Sequence, residues 1–261
     1  MMPQMPVVRT LRLGDAEIAR IGLGTNRLTN TTDHVEFVRA AVRAGIGNID
    51  TALIYAGGDS ERTIGEALSP FAAGVVVATK GAFKAGQGRP EVLRSHIEES
   101  LGRLRTDSIP LYYLHRVDPE TPLEESMGVI KEYRDRGAIR HAGMTLVTVD
   151  QIERARGVLP LAAVQNPYSV VERTYDGVLD HCGREGIVFV PYFPLRGTDT
   201  DAVKAVAARH RATASQIALA WLLRRAPHVL PIPGTLSLEH ARENLAALDL
   251  DLTDEDFAAL S

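Results

Sequence analysis

IGNIDTALIYAGGDSERTIGEALSPFAAGVVVATK, residues 46–80, decides how this chain folds. It opens on a short apolar run, IGNID, and closes on a second, VVVATK, while SERTIGEAL between them has helical period and starts on a serine. A strand, a helix and a strand in that order are one βα repeat. Working outward, runs rich in Val, Ile and Leu recur as ARIGLG (19–24), IPLYYLH (109–115), AIRHAGMT (138–145), AAVQN (162–166), IVFVPYFPL (187–195) and HVLPIPG (228–234). Helical patterns such as HVEFVRAAVRA, EVLRSHIEESLGRL, PLEESMGVIKEYRDRG and TASQIALAWLLRR lie between them. Strands that are apolar throughout, rather than at alternate positions, are buried on both faces, which favours a parallel sheet covered by helices.

With IGNID and VVVATK, the runs number eight, and eight βα units closing on themselves give an α/β (β/α)8 TIM barrel. VVRTLRLGDAEIAR (7–20), with its Gly-Asp turn, is expected to form an N-terminal β-hairpin cap at the barrel bottom, and the chain to end in a C-terminal helix. The alternative is an open doubly wound sheet. Against it, GLGTNR supplies Gly22 and Gly24 but has Arg27 where a dinucleotide fingerprint needs its third glycine.

At 261 residues and 45% hydrophobic content, one large core accounts for the whole length, so residues 1–261 are expected to be a single domain. A net charge of −4 leaves no excess of basic surface for nucleic acid or an acidic membrane, which points to a small-molecule partner. Cys182 is the only cysteine, so an internal disulfide is impossible and a reducing compartment suits the chain. MMPQMPVVRTLRLGDAE lacks the apolar run of a signal peptide, and nowhere do about 18 apolar residues follow one another. The expected location is cytoplasmic. The oligomeric state stays open, a monomer being compatible with these residues.

Barrel active sites lie at the carboxyl ends of the strands. That rim reads Thr25, Asp50, Lys80, His115, Thr145, Gln165 with Asn166, Tyr192 with Arg196, and Gly234 with Thr235. Asp50, Lys80 and His115 are spaced by about one βα unit each, so neighbouring strands should turn them into one cavity, with Tyr55 leaning over it from the loop after Asp50. Singly, each has an ordinary reading: a helix cap, a solvated charge, a hydrogen-bonded structural histidine, a packed aromatic. Four complementary groups at matching strand ends are hard to assign to chance.

Over nearly its whole length the chain resembles an aldo-keto reductase, in NIDTALIYAGGDSERTIGEAL, VVVATKG, SLGRLRTDSIPLYYLHRVDP, AAVQNPYS, VPYFPL, QIALAWLLRR and PIPGTLSLEHARENLAAL. It is most similar to the bacterial branch related to pyridoxal reductases. The resemblance implies an NADPH-dependent reductase of aldehydes or ketones, pyridoxal among them, with Asp50, Tyr55, Lys80 and His115 as catalytic tetrad. It implies no metal. Tyr192 is implied to stack under the nicotinamide, Gln165 and Thr145 to bind its carboxamide, and Thr25 and Asp50 to lie beside the cofactor. Phe193, Leu195 and Arg196 would reach the pyrophosphate. Gly234, Thr235, Ser237 and His240 would hold the 2′-phosphate, and Glu243 and Asn244 the adenine. Phe83, Arg116 and Tyr168 stand where family members contact substrate. Leu146 departs from the pattern, having no side-chain group for an amide.

The chemistry suits these residues independently. Hydride delivery to a carbonyl creates an alkoxide that must be protonated, and Tyr55 is the candidate acid. A tyrosine with a pKa of about 10 needs a neighbouring cation to release its proton readily, which Lys80 would supply and Asp50 would hold in place. His115 would donate to the carbonyl oxygen. Short loops after Lys80 and Tyr192 predict an open mouth. Two other functions are carried forward. One is a Schiff-base aldolase using Lys80, which Asp50 disfavours by keeping the amine charged. The other is an NADP-binding subunit without turnover. Ser237 as N-cap offers free N–H groups to a phosphate, but lysine or arginine is missing at 234 and 240 and Glu239 adds a negative charge, so NADH is expected as a weaker substitute.

Overall fold

The computed structural model describes residues 8–261. Residues 1–7, which include Val7 of the expected hairpin and the first part of the stretch read for a leader, lie outside the described residues. Strands β1 (Thr10–Leu13) and β2 (Ala16–Ala19) pair antiparallel, Thr10 opposite Ala19 and Leu13 opposite Ala16. Gly14 makes their turn possible with a φ of 61°.

A parallel sheet follows in strict chain order: β3 (Leu23–Gly24), β4 (Asn48–Asp50), β5 (Val76–Gly81), β6 (Ile109–Leu114), β7 (Ile139–Thr145), β8 (Leu161–Gln165) and β9 (Val188–Phe189). Helices α1 (Thr32–Arg43), α2 (Asp59–Leu68), α3 (Pro90–Leu104), α4 (Leu123–Asp135), α5 (Val149–Arg156) and α6 (Asp176–Arg184) intervene, and α7 (Asp201–His210) and α8 (Ala214–Arg225) follow β9. The chain closes with α9 (Leu238–Ala246) and α10 (Asp254–Ala259). Several helix starts follow from sequence alone. Thr31, Thr148, Thr200, Thr213, Ser237 and Thr253 are N-caps whose side chains accept backbone N–H bonds, with reciprocal Gln partners at Thr148 and Thr213.

The eighth expected strand, HVLPIPG, forms bridges rather than a ladder. Val229 pairs with Phe189 of β9, and Gly234 with Gly24 of β3. Prolines are the cause. The carbonyls of Pro231 and Pro233 accept from Gly22 and Gly24 at 2.9 and 3.1 Å, but neither proline has an N–H to return. The segment therefore fills the gap between the first and last strands of the sheet with bonds running one way on that side. No described helix is long and apolar enough to cross a membrane.

Strand period sorts the core into two layers. Val75, Val77, Tyr112, Leu114, Val164 and Phe189 pack under the helices. Val76, Ala78, Leu111, Tyr113, Ala163, Val188 and Val190 form a separate inner cluster that Leu13 of β1 and Ile18 of β2 join. Gly143 is bare because Tyr113 fills its side-chain space: a Cβ there would lie 2.5 Å from the Tyr113 ring. Alternation then decides what comes next. The inward rows Val76–Ala78, Leu111–Tyr113 and Asn48 run on, two residues later, to Lys80, His115 and Asp50.

Candidate active site

Asp50, Lys80 and His115 are thus the last members of inward-facing rows, and all are buried. Lys80 Nζ donates to Asp50 Oδ1 at 2.6 Å and to the Thr51 carbonyl at 2.7 Å. The other carboxylate oxygen of Asp50 accepts from Gln165 Nε2 at 2.8 Å. Burial alone would push the lysine pKa down, yet the Asp50 charge, helped by Tyr55, outweighs it and holds Lys80 above its ordinary value. Lys80 is therefore an ammonium, sealed beneath the cavity floor and 0% exposed. Tyr55 lies above it, half-buried, with Nζ 5.1 Å from the ring centroid.

His115 meets Tyr55 edge-on, ring centroids 6.2 Å apart, and is covered on another side by Phe83 at 4.9 Å. Burial first, then the charges of Lys80 and Arg116, depress its pKa to about 2, so the ring is neutral. Its Nδ1 is buried without a partner. Arg116 donates from Nη1 to the His115 carbonyl at 3.0 Å and to Thr145 Oγ1 at 3.1 Å, while lying 5.5 Å over the Phe83 ring. Thr145 Oγ1 itself donates to the His115 carbonyl. Arg116 accordingly braces the histidine from behind.

Asp50, Tyr55, Phe83, His115, Arg116 and Thr145 line an open cavity of about 520 Å³ with Thr25, Gln165, Tyr192, Phe193, Leu195, Arg196 and Gly234. Thr25 spends its hydroxyl on the Asp50 carbonyl at 2.8 Å and also meets Ser60 Oγ at 2.9 Å. Phe193 is half-exposed at a φ of 55°, and the Arg196 guanidinium lies 4.2 Å over its ring. Leu146 has a φ of 53° and gives its N–H to the Gln165 carbonyl, while Asn166 pins Val147 through two bonds.

The segment after Gly234 continues away from this cavity. Thr235 Oγ1 accepts from Ser237 N at 3.0 Å, and Ser237 caps α9 by accepting from His240 N. His240 is exposed, Asn244 is buried, and the Glu243 carbonyl accepts from Gln216. None of these five lines the cavity.

Tyr168, expected to contact substrate, does not line this cavity, because the chain turns inward after β8. Tyr168 is 1% exposed and stacks on Trp221 at 6.0 Å. Its hydroxyl donates to Asp176 at 2.5 Å, and it borders a separate cleft with Trp221 and Phe257. Conversely, Asn26, Arg27, Ile54, Ile232 and Pro233 line the cavity and were not singled out. Arg27 donates to the Gly234 carbonyl at 3.2 Å across the junction of β3 and the eighth segment. Its position just past a strand end was the signal, obscured by reading it only as a missing glycine.

A model of the Aldo/keto reductase family matches residues 20–201 and 198–261. Pyridoxine 4-dehydrogenase of Escherichia coli is 32% identical over 276 residues, 96% of each chain. Among solved structures, a thermostable aldo-keto reductase complexed with the inhibitor epalrestat superposes with a TM-score of 0.89 at 33% identity, covering 97% of this chain and 98% of that one. An aldo/keto reductase from Klebsiella pneumoniae, in complex with NADP and acetate, gives 0.86 at 30% identity, covering 97% and 94%.

Proposed function

The chain belongs to the aldo/keto reductase family, and we propose that it reduces the carbonyl of an aldehyde or ketone with NADPH, Tyr55 giving the proton. One observation carries the reading: an ammonium is locked between Asp50 and Tyr55 just beneath a cavity that a neutral histidine lines. In this reading the Lys80 charge favours the tyrosinate and so eases loss of the Tyr55 proton to the developing alkoxide. Asp50 holds Lys80, and neutral His115 donates to the carbonyl oxygen without competing as an acid.

The residues at the mouth suit a nicotinamide dinucleotide, which supplies the hydride when bound. Tyr192 offers a ring face, and Gln165 Oε1 and Thr145 offer polar groups for the carboxamide. Arg27 and Arg196 form no ion pair with a carboxylate among the described residues, which leaves two cations for a pyrophosphate. Phe193 and Leu195 would flank it. Thr235, Ser237, His240, Glu243 and Asn244 are assigned to the adenosine end by family resemblance, with NADH the weaker donor. Residues 1–261 are taken as one domain acting in the cytoplasm. Pyridoxal is the first carbonyl to try, since a relative is named pyridoxine 4-dehydrogenase. Burial of the charged Lys80 argues against an aldolase, which needs a free amine open to substrate.

The test is NADPH oxidation across pyridoxal, aromatic aldehydes, short ketones, 2-oxoaldehydes and keto sugars. Turnover with at least one class is expected. Tight NADPH binding with no turnover on any of them would favour the non-catalytic subunit.

A further inference from the structure

Tyr55 opens a short 3-10 turn, Tyr55–Gly58, whose backbone departs from helical geometry. The next three residues, Ala56, Gly57 and Gly58, are all left-handed, with φ of 48°, 64° and 94°. Arg103, in the last turn of α3, reaches this segment from outside the sheet. Its Nη1 donates to the Leu53 carbonyl at 2.9 Å and lies 3.4 Å from Glu61 Oε2. Its guanidinium packs so closely on Gly58 that a Cβ there would overlap it. Glu61, 0% exposed, accepts in turn from Thr79 Oγ1 at 2.6 Å, and Thr79 precedes Lys80 on β5.

We infer that Arg103 and Glu61 are positioning residues that set Tyr55 against Lys80. One guanidinium and one carboxylate join the segment carrying Tyr55, the helix that follows it and the strand carrying Lys80, without either residue lining the cavity. A planar fork suits the place because it serves a backbone carbonyl and a carboxylate at once, as an ammonium's point charge does not. The inference rests on Tyr55 as the proton donor.

The test compares Arg103→Met, Arg103→Lys and Glu99→Gln, with Tyr55→Phe measured in parallel. Misplacing the acid should lower kcat of Arg103→Met by ~10- to 100-fold, an amount that a shift of about 1 Å can produce. The carbonyl KM, and the NADPH Kd read from protein fluorescence, should stay within about twofold, because Arg103 is not part of the cavity lining and the lining beyond the Tyr55 segment is unchanged. Arg103→Lys should fall between. Glu99→Gln, which removes only the exposed partner of Arg103, should match wild type. Wild-type kcat in folded Arg103→Met overturns the inference, as does a parallel loss of kcat, KM and cofactor affinity. If Arg103→Met does not fold, Gly58→Ala presses on the guanidinium from the other side, and an unchanged kcat there overturns it equally. Full activity in Tyr55→Phe would instead remove the proton-donor reading itself, and the clamp with it.

Discussion

At Lys80, two opposed effects meet and their sum decides the chemistry. Burial disfavours the ammonium, and Asp50 more than restores it. Lys80→Met should abolish carbonyl reduction and destabilise the fold by about 3–5 kcal/mol, since Asp50 is left charged, buried and held only by Gln165. Adding Asp50→Leu should recover most of that stability and none of the activity; denaturant titration and an NADPH assay read the two. A second expectation concerns His115. Its folded pKa of about 2 lies below the ordinary value of 6.5, so between those limits the unfolded chain binds the extra proton. Stability is then lost as pH falls below about 6.5, by up to ~1.4 kcal/mol per pH unit from this residue. His115→Asn, which has no such proton to take up, should show a shallower acid loss by about that slope; identical slopes would mean His115 is not held neutral. Asp50, Lys80 and His115 were legible as neighbours because each ends an apolar run, and Tyr55 because it follows the first of them by five residues. Arg103 was not, because its partner is a carbonyl of Leu53, 50 positions away, and no sequence pattern marks a backbone acceptor. Tyr168 lies off the cavity although its neighbours in AAVQNPYS lie at a strand end, because its own ring follows the turn into the helix layer.

Among the elements, the inward and outward rows of the strands could be read from apolar runs, and the helix starts from their Ser and Thr caps. The eighth strand was legible as a run but not as a set of bridges, although Pro231 and Pro233 announce the missing donors. Four of the non-glycine residues at positive φ, Ala56, Ala82, Leu146 and Phe193, follow the ends of β4, β5, β7 and β9. Backbone strain thus gathers at the mouth, where the chain turns sharply out of the sheet. The opposite end is built for stability. Arg20, 1% exposed, donates to the carbonyls of Val8, Leu223, Ala226 and Val229, tying the end of α8 and the start of the eighth segment to the strand pair that opens the chain. Arg20→Met leaves these acceptors without their donor and should cost ~2–5 kcal/mol of stability. Its kcat should stay within twofold of wild type at a temperature where it is folded, because Arg20 is remote from the cavity lining. A kinetic defect in folded Arg20→Met would contradict this division of labour between the two ends.

For the whole molecule, a net charge of −4 coexists with a cavity mouth bearing Arg27, Arg116 and Arg196. The positive mouth suits an anionic cofactor in a chain with no basic surface to spare. At the proposed adenosine end the donors are mainly neutral, so NADPH is expected over NADH by ~10- to 100-fold in kcat/KM, the equivalent of about 1.4–2.8 kcal/mol. A preference for NADH in the same assay would overturn the assignment of Thr235 and Ser237 to the 2′-phosphate. The central claim, that Tyr55 protonates the reduced carbonyl, is tested most directly by Tyr55→Phe saturated with NADPH, following its single-turnover oxidation on the best carbonyl substrate. The account predicts a rate at least ~100-fold below wild type, the lower end of what general acid catalysis contributes, with the NADPH Kd within twofold; a variant that keeps a tenth or more of the wild-type rate would contradict it.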